Sequence, residues 1–196
     1  QAAKKPKEKQ PPILFDKTQS IIARVNSLLG GTLVTYFNNP RGSVCHDDVV
    51  ALYELLEKIG RQEKTYLFIK SSGGNGQASL RLVNLLRQYC DEIIAVIPLE
   101  CASAATMITL GANEIHMGPT SYLTAADSSL KHDLSPVDHH NYLVAVSQDE
   151  VMRILRLWKE QKCGDNPFPE VYKYLHPLVL GALDRSSSLS MRICQE

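Results

Sequence analysis

Two apolar runs, residues 65–69 (TYLFI) and 93–97 (IIAVI), lack the polar–apolar alternation of a strand with one wet face. Continuous runs of this kind are strands of a parallel sheet buried on both faces. Parallel neighbours need a crossover, usually a helix, and helical spacing follows each run. The first is succeeded by a glycine turn at 71–76 and then by Leu80, Leu82, Val83, Leu85 and Leu86. The second leads through a turn at 98–102 into a small-residue helix at 103–110. Upstream, 32–37 (TLVTYF) reads as a β-rich run ended by the turn 38–42; downstream, 114–117 (EIHM) reads as a short strand. Helical periodicity also covers 13–29, stopped by Gly30-Gly31, and the stretch from Val49 to Gly60, where Asp47 and Asp48 suit the cap and first turn. Strands alternating with helices predict right-handed βαβ units in a layered α/β domain.

The 196 residues suffice for one domain, placed at 13–196, behind a charged, proline-containing tail or linker at 1–12 (QAAKKPKEKQPP) that is expected to be disordered. The formal net charge is zero, so the balance of charge favours neither nucleic acid nor an anionic membrane as partner. No apolar run reaches the roughly 18 residues of a membrane-spanning helix, and no signal peptide is visible. Because the chain starts at Gln1, it is expected to be a fragment. If the first twelve residues are a juxtamembrane linker, the whole protein is membrane-associated; otherwise a cytoplasmic setting is expected. Cys45, Cys90, Cys101, Cys163 and Cys194 are odd in number, scattered and without a CxxC pair. They predict reduced thiols, and neither a disulfide framework nor a metal site. Cys101, two residues before Ser103, reads as a small buried hydrophobe. After Asp127 the pattern loosens into a polar stretch, then helical pieces at 148–162, 171–175 and 177–190.

The chemistry concentrates between Ser71 and Asp127. A serine hydroxyl is a weak nucleophile until a base takes its proton and donors receive the developing oxyanion. Ser103 opens a helix, so unpaired N–H groups of the first turn and the positive end of the helix dipole lie beside it. Ala102, Ala104 and Ala105 let a substrate backbone approach, and Gly73-Gly74 can present a further N–H to the same point. Both turns belong at the carboxyl edge of the sheet, where open α/β sheets bind ligands.

These residues resemble the serine dehydrogenase proteinase family, a branch of the Clp-protease/crotonase superfamily that includes signal peptide peptidase A. The resemblance rests on Thr35-Tyr-Phe with His46-Asp-Asp, and on Leu67-Phe-Ile-Lys-Ser-Ser-Gly-Gly74 against a strand with a Ser-Pro-Gly-Gly turn. It continues through Ala102-Ser103-Ala104, Glu114-Ile-His-Met-Gly118, and Ser121-Tyr-Leu-Thr-Ala-Ala-Asp127, with His176-Pro177 and Leu180-Gly181 resembling late helices. It spans roughly residues 32–190. It implies a crotonase/Clp-protease-like layered βαβ superhelix, serine peptidase activity on peptide or protein substrates, no cofactor, and self-association into rings or smaller oligomers. Carried onto the matching positions, Ser103 is the nucleophile, Gly73, Gly74 and Ala104 belong to the oxyanion hole, and Asp127 takes the acidic position.

The departures fall beside the site. Ala105 replaces a glycine and is expected to add a methyl next to the hole; Ser72 replaces a proline; Thr124-Ala-Ala-Asp127-Ser-Ser replaces Gly-Pro-Ile-Asp-Pro-Gln. A carboxylate alone is a poor base for serine, because its pKa lies far below that of the hydroxyl. Lys131, His132, His139, His140, Lys159 and Lys162 are candidates, of which Lys131 is the one assigned; His116 is expected to be a packed strand residue. The reading is an ATP-independent serine peptidase working through an acyl-enzyme on Ser103. Its alternatives are a silent relative kept for assembly or peptide binding, and a crotonase-type acyl-CoA enzyme.

Overall fold

The computed structural model describes residues 15–39, 42–126, 129–160, 166 and 168–195. The tail 1–12, Asp127, Lys162 and Cys163 lie outside the described residues. In chain order the elements are α1 (Phe15–Leu28), β1 (Thr32–Phe37), α2 (His46–Ile59), β2 (Gln62–Lys70), α3 (Gly76–Tyr89), β3 (Cys90–Ile97), β4 (Glu100–Cys101), α4 (Ala104–Leu110) and β5 (Glu114–Met117). They continue with β6 (Tyr122–Leu123), β7 (Ser129–Leu130), β8 (Val146–Ser147), α5 (Gln148–Glu160), α6 (Phe168–Val171) and α7 (Pro177–Gln195).

Four strands form one parallel sheet in the order β1-β2-β3-β5. This is the layered α/β architecture that the alternating strands and helices predict. Val34, Leu67, Ile69, Ile93 and Ile97 make one face of the sheet. They are buried against Val49 and Leu56 of α2, Ala78, Leu82 and Leu86 of α3, and Ala104, Ala105 and Ile108 of α4. A second apolar cluster joins Val151 and Leu155 of α5 to Leu175 and to Val179 and Leu183 of α7.

The strands are longer than the apolar runs. β2 begins at Gln62 and β3 at Cys90, because their polar starts pair with one another and Lys64 meets Glu92 at 2.8 Å. Hydrophobicity marks only the buried middle of such a strand. Burial on both faces does not hold throughout either. In β2, Thr65, Leu67 and Ile69 are buried while Tyr66 and Phe68 are half-buried. All four residues of β5 are exposed, including His116, which pairs with Glu114 at 2.9 Å instead of packing inward. β5 is an edge strand, so the sheet offers it a neighbour on one side alone. The two-residue strands β4, β6, β7 and β8 are too short to carry a periodic signal. Toward the C-terminus α6 lies earlier than residues 171–175, and α7 runs on to Gln195.

Candidate active site

Three turns converge at the carboxyl ends of β2 and β3. Chain entering from β2 makes a parallel bridge between Ser71 and Cys101. Ser71 N–H donates to the Glu100 carbonyl at 3.1 Å, and Ala102 N–H donates to the Ser71 carbonyl at 3.0 Å. Three residues on, Gly74 bridges Val44: Val44 N–H donates to the Gly73 carbonyl, and Asn75 N–H to the Val44 carbonyl, both at 2.8 Å. The Asn75 side chain then caps α3 by accepting from Ala78 N–H at 2.9 Å.

Gly73 and Gly74 have φ of 101° and 148°. A Cβ on Gly73 would sit 2.7 Å from the Ala102 carbonyl oxygen and 2.9 Å from Ser103 Cβ. One on Gly74 would lie 2.4 Å from the Val44 carbonyl oxygen. Glycine is required at both positions, by backbone conformation and by close approach. The glycine turn is thereby pressed directly against the serine turn.

Ser103 itself sits at φ 50°, ψ −118°, at the sharp passage from β4 into α4. This region is unfavourable for a residue with a side chain and marks a backbone held by its surroundings. The holding contacts are visible. Ser103 N–H donates to Thr124 Oγ1 at 2.9 Å. Thr106 Oγ1 donates to the carbonyls of Cys101 (3.1 Å) and Thr124 (2.9 Å), tying the loop after β6 to α4. Ser79 Oγ donates to the Ala104 carbonyl at 2.7 Å, tying α3 to the same helix. Strain at a strand-to-helix turn is how a nucleophilic serine is lifted clear of its own backbone.

Ser103, Gly74 and Ala104 share one polar cavity of about 270 Å³, whose other walls are Gly76, Met107, Ser129, Ser186 and Ser190. Ala104 opens α4, so its N–H has no partner within the helix. Gly74 N–H has no hydrogen bond among the described residues. Two N–H groups flanking a serine are what an acyl-transfer oxyanion needs. Gly73 contributes differently: its own N–H donates to Ser71 Oγ at 3.1 Å, and it shapes the turn.

Ala105 is fully buried in the main core, so its methyl packs beneath α4 and does not stand beside the hole, as the sequence suggested. Cys101 is fully buried too, and burial pushes its thiol up to about 12, which removes it as a nucleophile. The assigned base stands apart. Lys131 is solvent-exposed and forms no part of the cavity wall, although Ser129, two residues earlier, does. His132 Nδ1 accepts from Leu134 N–H at 3.1 Å, the His139 and His140 rings contact each other at a tilt of 44°, and Lys159 is exposed on α5. Among the described residues no ionisable side chain lines the cavity. The Lys70 ammonium, 2.8 Å from Glu100, holds that carboxyl below its ordinary range and pins the end of β2 to β4. No group of three or more metal-ligating side chains gathers among the described residues.

The sequence marked the loop from Thr124 to Ser129 as a departure beside the site but not what Thr124 and Ser129 do there, since their roles come from segments brought together across the fold. It passed over Ser186 and Ser190, although they carried a usable signal, a polar interruption at helical spacing within an apolar stripe.

Two hollows elsewhere hold no comparable chemistry. One of about 250 Å³ lies between β1 and α2, lined by Val34, Tyr36, Leu52 and Leu82. The other, about 370 Å³, is a groove between α2 and α3.

No protein-family model matches the sequence, and no curated protein matches it. Among solved structures 270 chains match. One of them is the ClpP protease catalytic domain from Plasmodium falciparum, 13% identical with a TM-score of 0.44. That match covers 58% of this chain and 61% of the other, so the chain spans less than two thirds of the length of the structure it resembles.

Proposed function

We propose that this chain is a serine peptidase domain of the Clp/crotonase kind, independent of ATP and of any cofactor. Ser103 attacks the scissile carbonyl, and the Gly74 and Ala104 N–H groups receive the oxyanion. The observation that carries this reading is the strained Ser103 turn, φ 50° and ψ −118°, which shares one cavity with Gly74 and Ala104. A residue held at such an angle costs about 1–3 kcal/mol, which a plain helix cap would not require. The motifs of the serine dehydrogenase proteinase family support the same assignment residue by residue, with peptides or protein segments as substrate. In this reading the base comes from the loop after β6, with Asp127 at the acidic position and Lys131 drawn in from its exposed place on that loop when substrate binds, and subunits assemble as homo-oligomers.

A second reading, a silent relative that binds peptides without cutting them, is favoured by one observation: no ionisable group stands beside Ser103 among the described residues. A fluorophosphonate probe separates the two. Wild type should be labelled and Ser103→Ala should not, with labelling rising as the base loses its proton. Absence of labelling across about pH 6–9, the range in which a tuned histidine or lysine works, would overturn the peptidase reading.

A further inference from the structure

The Gly73–Gly74 peptide owes its direction to groups that take no part in the chemistry. The Gly73 carbonyl accepts Val44 N–H at 2.8 Å, and a trans peptide carries its N–H on the side opposite its carbonyl. Gly74 N–H therefore points away from Val44. Glycines at φ 101° and 148° have many other angles open to them, so this direction lasts only while neighbouring groups hold it. The second hold is on Gly73 N–H, which donates to Ser71 Oγ at 3.1 Å. Ser71 is fully buried, and its one hydroxyl proton goes to Asn38 Oδ1 at 2.5 Å, which leaves the lone pairs of Oγ to Gly73. Asn38 is held in its turn by Lys70: its N–H donates to the Lys70 carbonyl at 2.9 Å, and its carbonyl accepts from the Lys70 ammonium at 3.3 Å. That ammonium also meets Glu100 at 2.8 Å, three residues before Ser103. Tyr122 O–H (3.2 Å) and Ser72 Oγ (3.3 Å) donate to the same carboxylate. A side-chain circuit thus joins the two turns of the site, from Gly73 through Ser71, Asn38 and Lys70 to Glu100.

We propose that Ser71 and Asn38 are positioning residues for the oxyanion hole, which keep Gly74 N–H turned toward the carbonyl that Ser103 attacks. This role rests on the peptidase reading and deepens it. Neither side chain lines the cavity, so both act through Gly73. A donor helps a developing oxyanion most when it is aimed before the charge appears, because reorienting it during the reaction cancels part of the stabilisation. Without Ser71 Oγ, the N–H of the buried Gly73 loses its acceptor. The turn then gains by rotating that N–H toward another acceptor, and the Gly73–Gly74 peptide moves with it. Without Asn38 Oδ1, the buried Ser71 proton loses its own acceptor, the hydroxyl is free to turn, and the hold on Gly73 loosens. Lys70 and Glu100 do something else: they keep the ends of β1, β2 and β4 together, whereas Ser71 and Asn38 set the angle of one peptide.

The test uses the full chain and two probes, an alkyl fluorophosphonate with a P=O group and its P=S counterpart, each labelling rate divided by that probe's rate with hydroxide. N–H donors stabilise charge on oxygen better than on sulfur, a weaker acceptor, so a working hole shows as a preference for the oxygen probe. Loss of folded protein lowers both rates alike and leaves that preference unchanged. Ser71→Ala should slow the oxygen probe at least about tenfold, a part of the roughly 10²–10³ lost with a whole oxyanion donor, and slow the sulfur probe much less. Asn38→Leu should act in the same direction, and Asn38→Asp, which returns an oxygen acceptor to Ser71, should recover the preference. Should Ser71→Ala fail to fold by circular dichroism, the two Asn38 variants decide, because that side chain is half-buried just beyond β1. A wild type without the preference, or a preference unchanged in Ser71→Ala and Asn38→Leu because both probes slow equally or not at all, overturns the assignment. A preference lost as fully in Asn38→Asp as in Asn38→Leu removes Asn38 from it. If the oxygen probe labels Ser103 in wild type, those results remove the positioning role and leave the peptidase standing; if it leaves Ser103 unlabelled, both fall.

Discussion

Ser103 is held in a strained backbone conformation, and Thr124 is its most direct support. The family pattern places a glycine where Thr124 stands, a departure that reads from sequence as loosening the loop. Its hydroxyl instead accepts Ser103 N–H at 2.9 Å, and its carbonyl accepts from Thr106 at 2.9 Å. Thr124→Val keeps the shape and removes the acceptor. It should lower stability by about 1 kcal/mol in urea denaturation and slow fluorophosphonate labelling, while Thr124→Ser should restore both. Cys101 carries a different prediction. Its thiol rises from the ordinary 9.0 to about 12 because the folded state buries it. The native state therefore binds this proton more tightly than the unfolded chain. The stability so gained is fully present below pH 9 and is lost as pH climbs from 9 toward 12. The thermal unfolding midpoint should fall across that window, and Cys101→Ala should flatten the fall. A maleimide at neutral pH should spare Cys101 in the native protein and modify the exposed Cys194.

At the level of elements, α2 is fixed by a carboxylate that serves two masters. Asp48 accepts Cys45 N–H at 2.9 Å, closing the first turn, and Tyr36 O–H at 2.7 Å, reaching across to β1. Burial and the neighbouring carboxylate raise the Tyr36 phenol well above its ordinary value. Asp48→Ala should destabilise the fold by about 1–2 kcal/mol, the scale of a lost cap. Tyr36→Phe should remove less, and a double-mutant cycle should show the two effects coupled. The aspartates before Val49 were legible as a helix start, because capping is local chemistry. The strands β1 to β3 and the helices α2 to α4 were legible for a related reason: each buries enough apolar residues to leave a pattern, whereas α1 and β5 were legible from residue spacing and flanking turns, with no described side chain of either buried. What was not legible came from pairing at a distance. β4 and β6 exist because Glu100–Cys101 runs beside Tyr122–Leu123, and neither dipeptide has a pattern of its own. The glycine turn and Ser103 could be named from their spacing, but the cavity they share is completed by Ser186 and Ser190, more than eighty residues later in the chain. Lys131 shows the limit from the other side: a residue type suited to the chemistry, near in sequence, yet left in solvent.

For the molecule as a whole, the sheet has two unequal faces. The face beneath α2, α3 and α4 is buried throughout its centre. On the other, Leu33, Tyr66, Phe68 and Val96 are half-buried and Phe37 is 53% exposed. Register places Leu33 beside Tyr66, and Phe68 between Thr35 and Val96, so these side chains form a connected patch and not scattered exposures. Purely parallel sheets are covered on both sides in nearly all folds that contain them. The self-association proposed above would supply the missing cover, with a second copy laid on this face. Light scattering at increasing protein concentration should then show a species larger than the 21.8 kDa chain. Phe68→Glu would set a carboxylate in the middle of the patch, and a buried charge without a partner opposes association. That variant should shift the protein toward the monomer while keeping its circular dichroism spectrum, and Phe37→Glu, nearer the rim, should do so less. If association helps to hold the Ser103 turn, the monomeric variant should also lose fluorophosphonate labelling. Labelling that survives in the monomer would locate the whole apparatus within one chain. A wild type that stays monomeric at every concentration would mean that the patch serves some contact other than self-association.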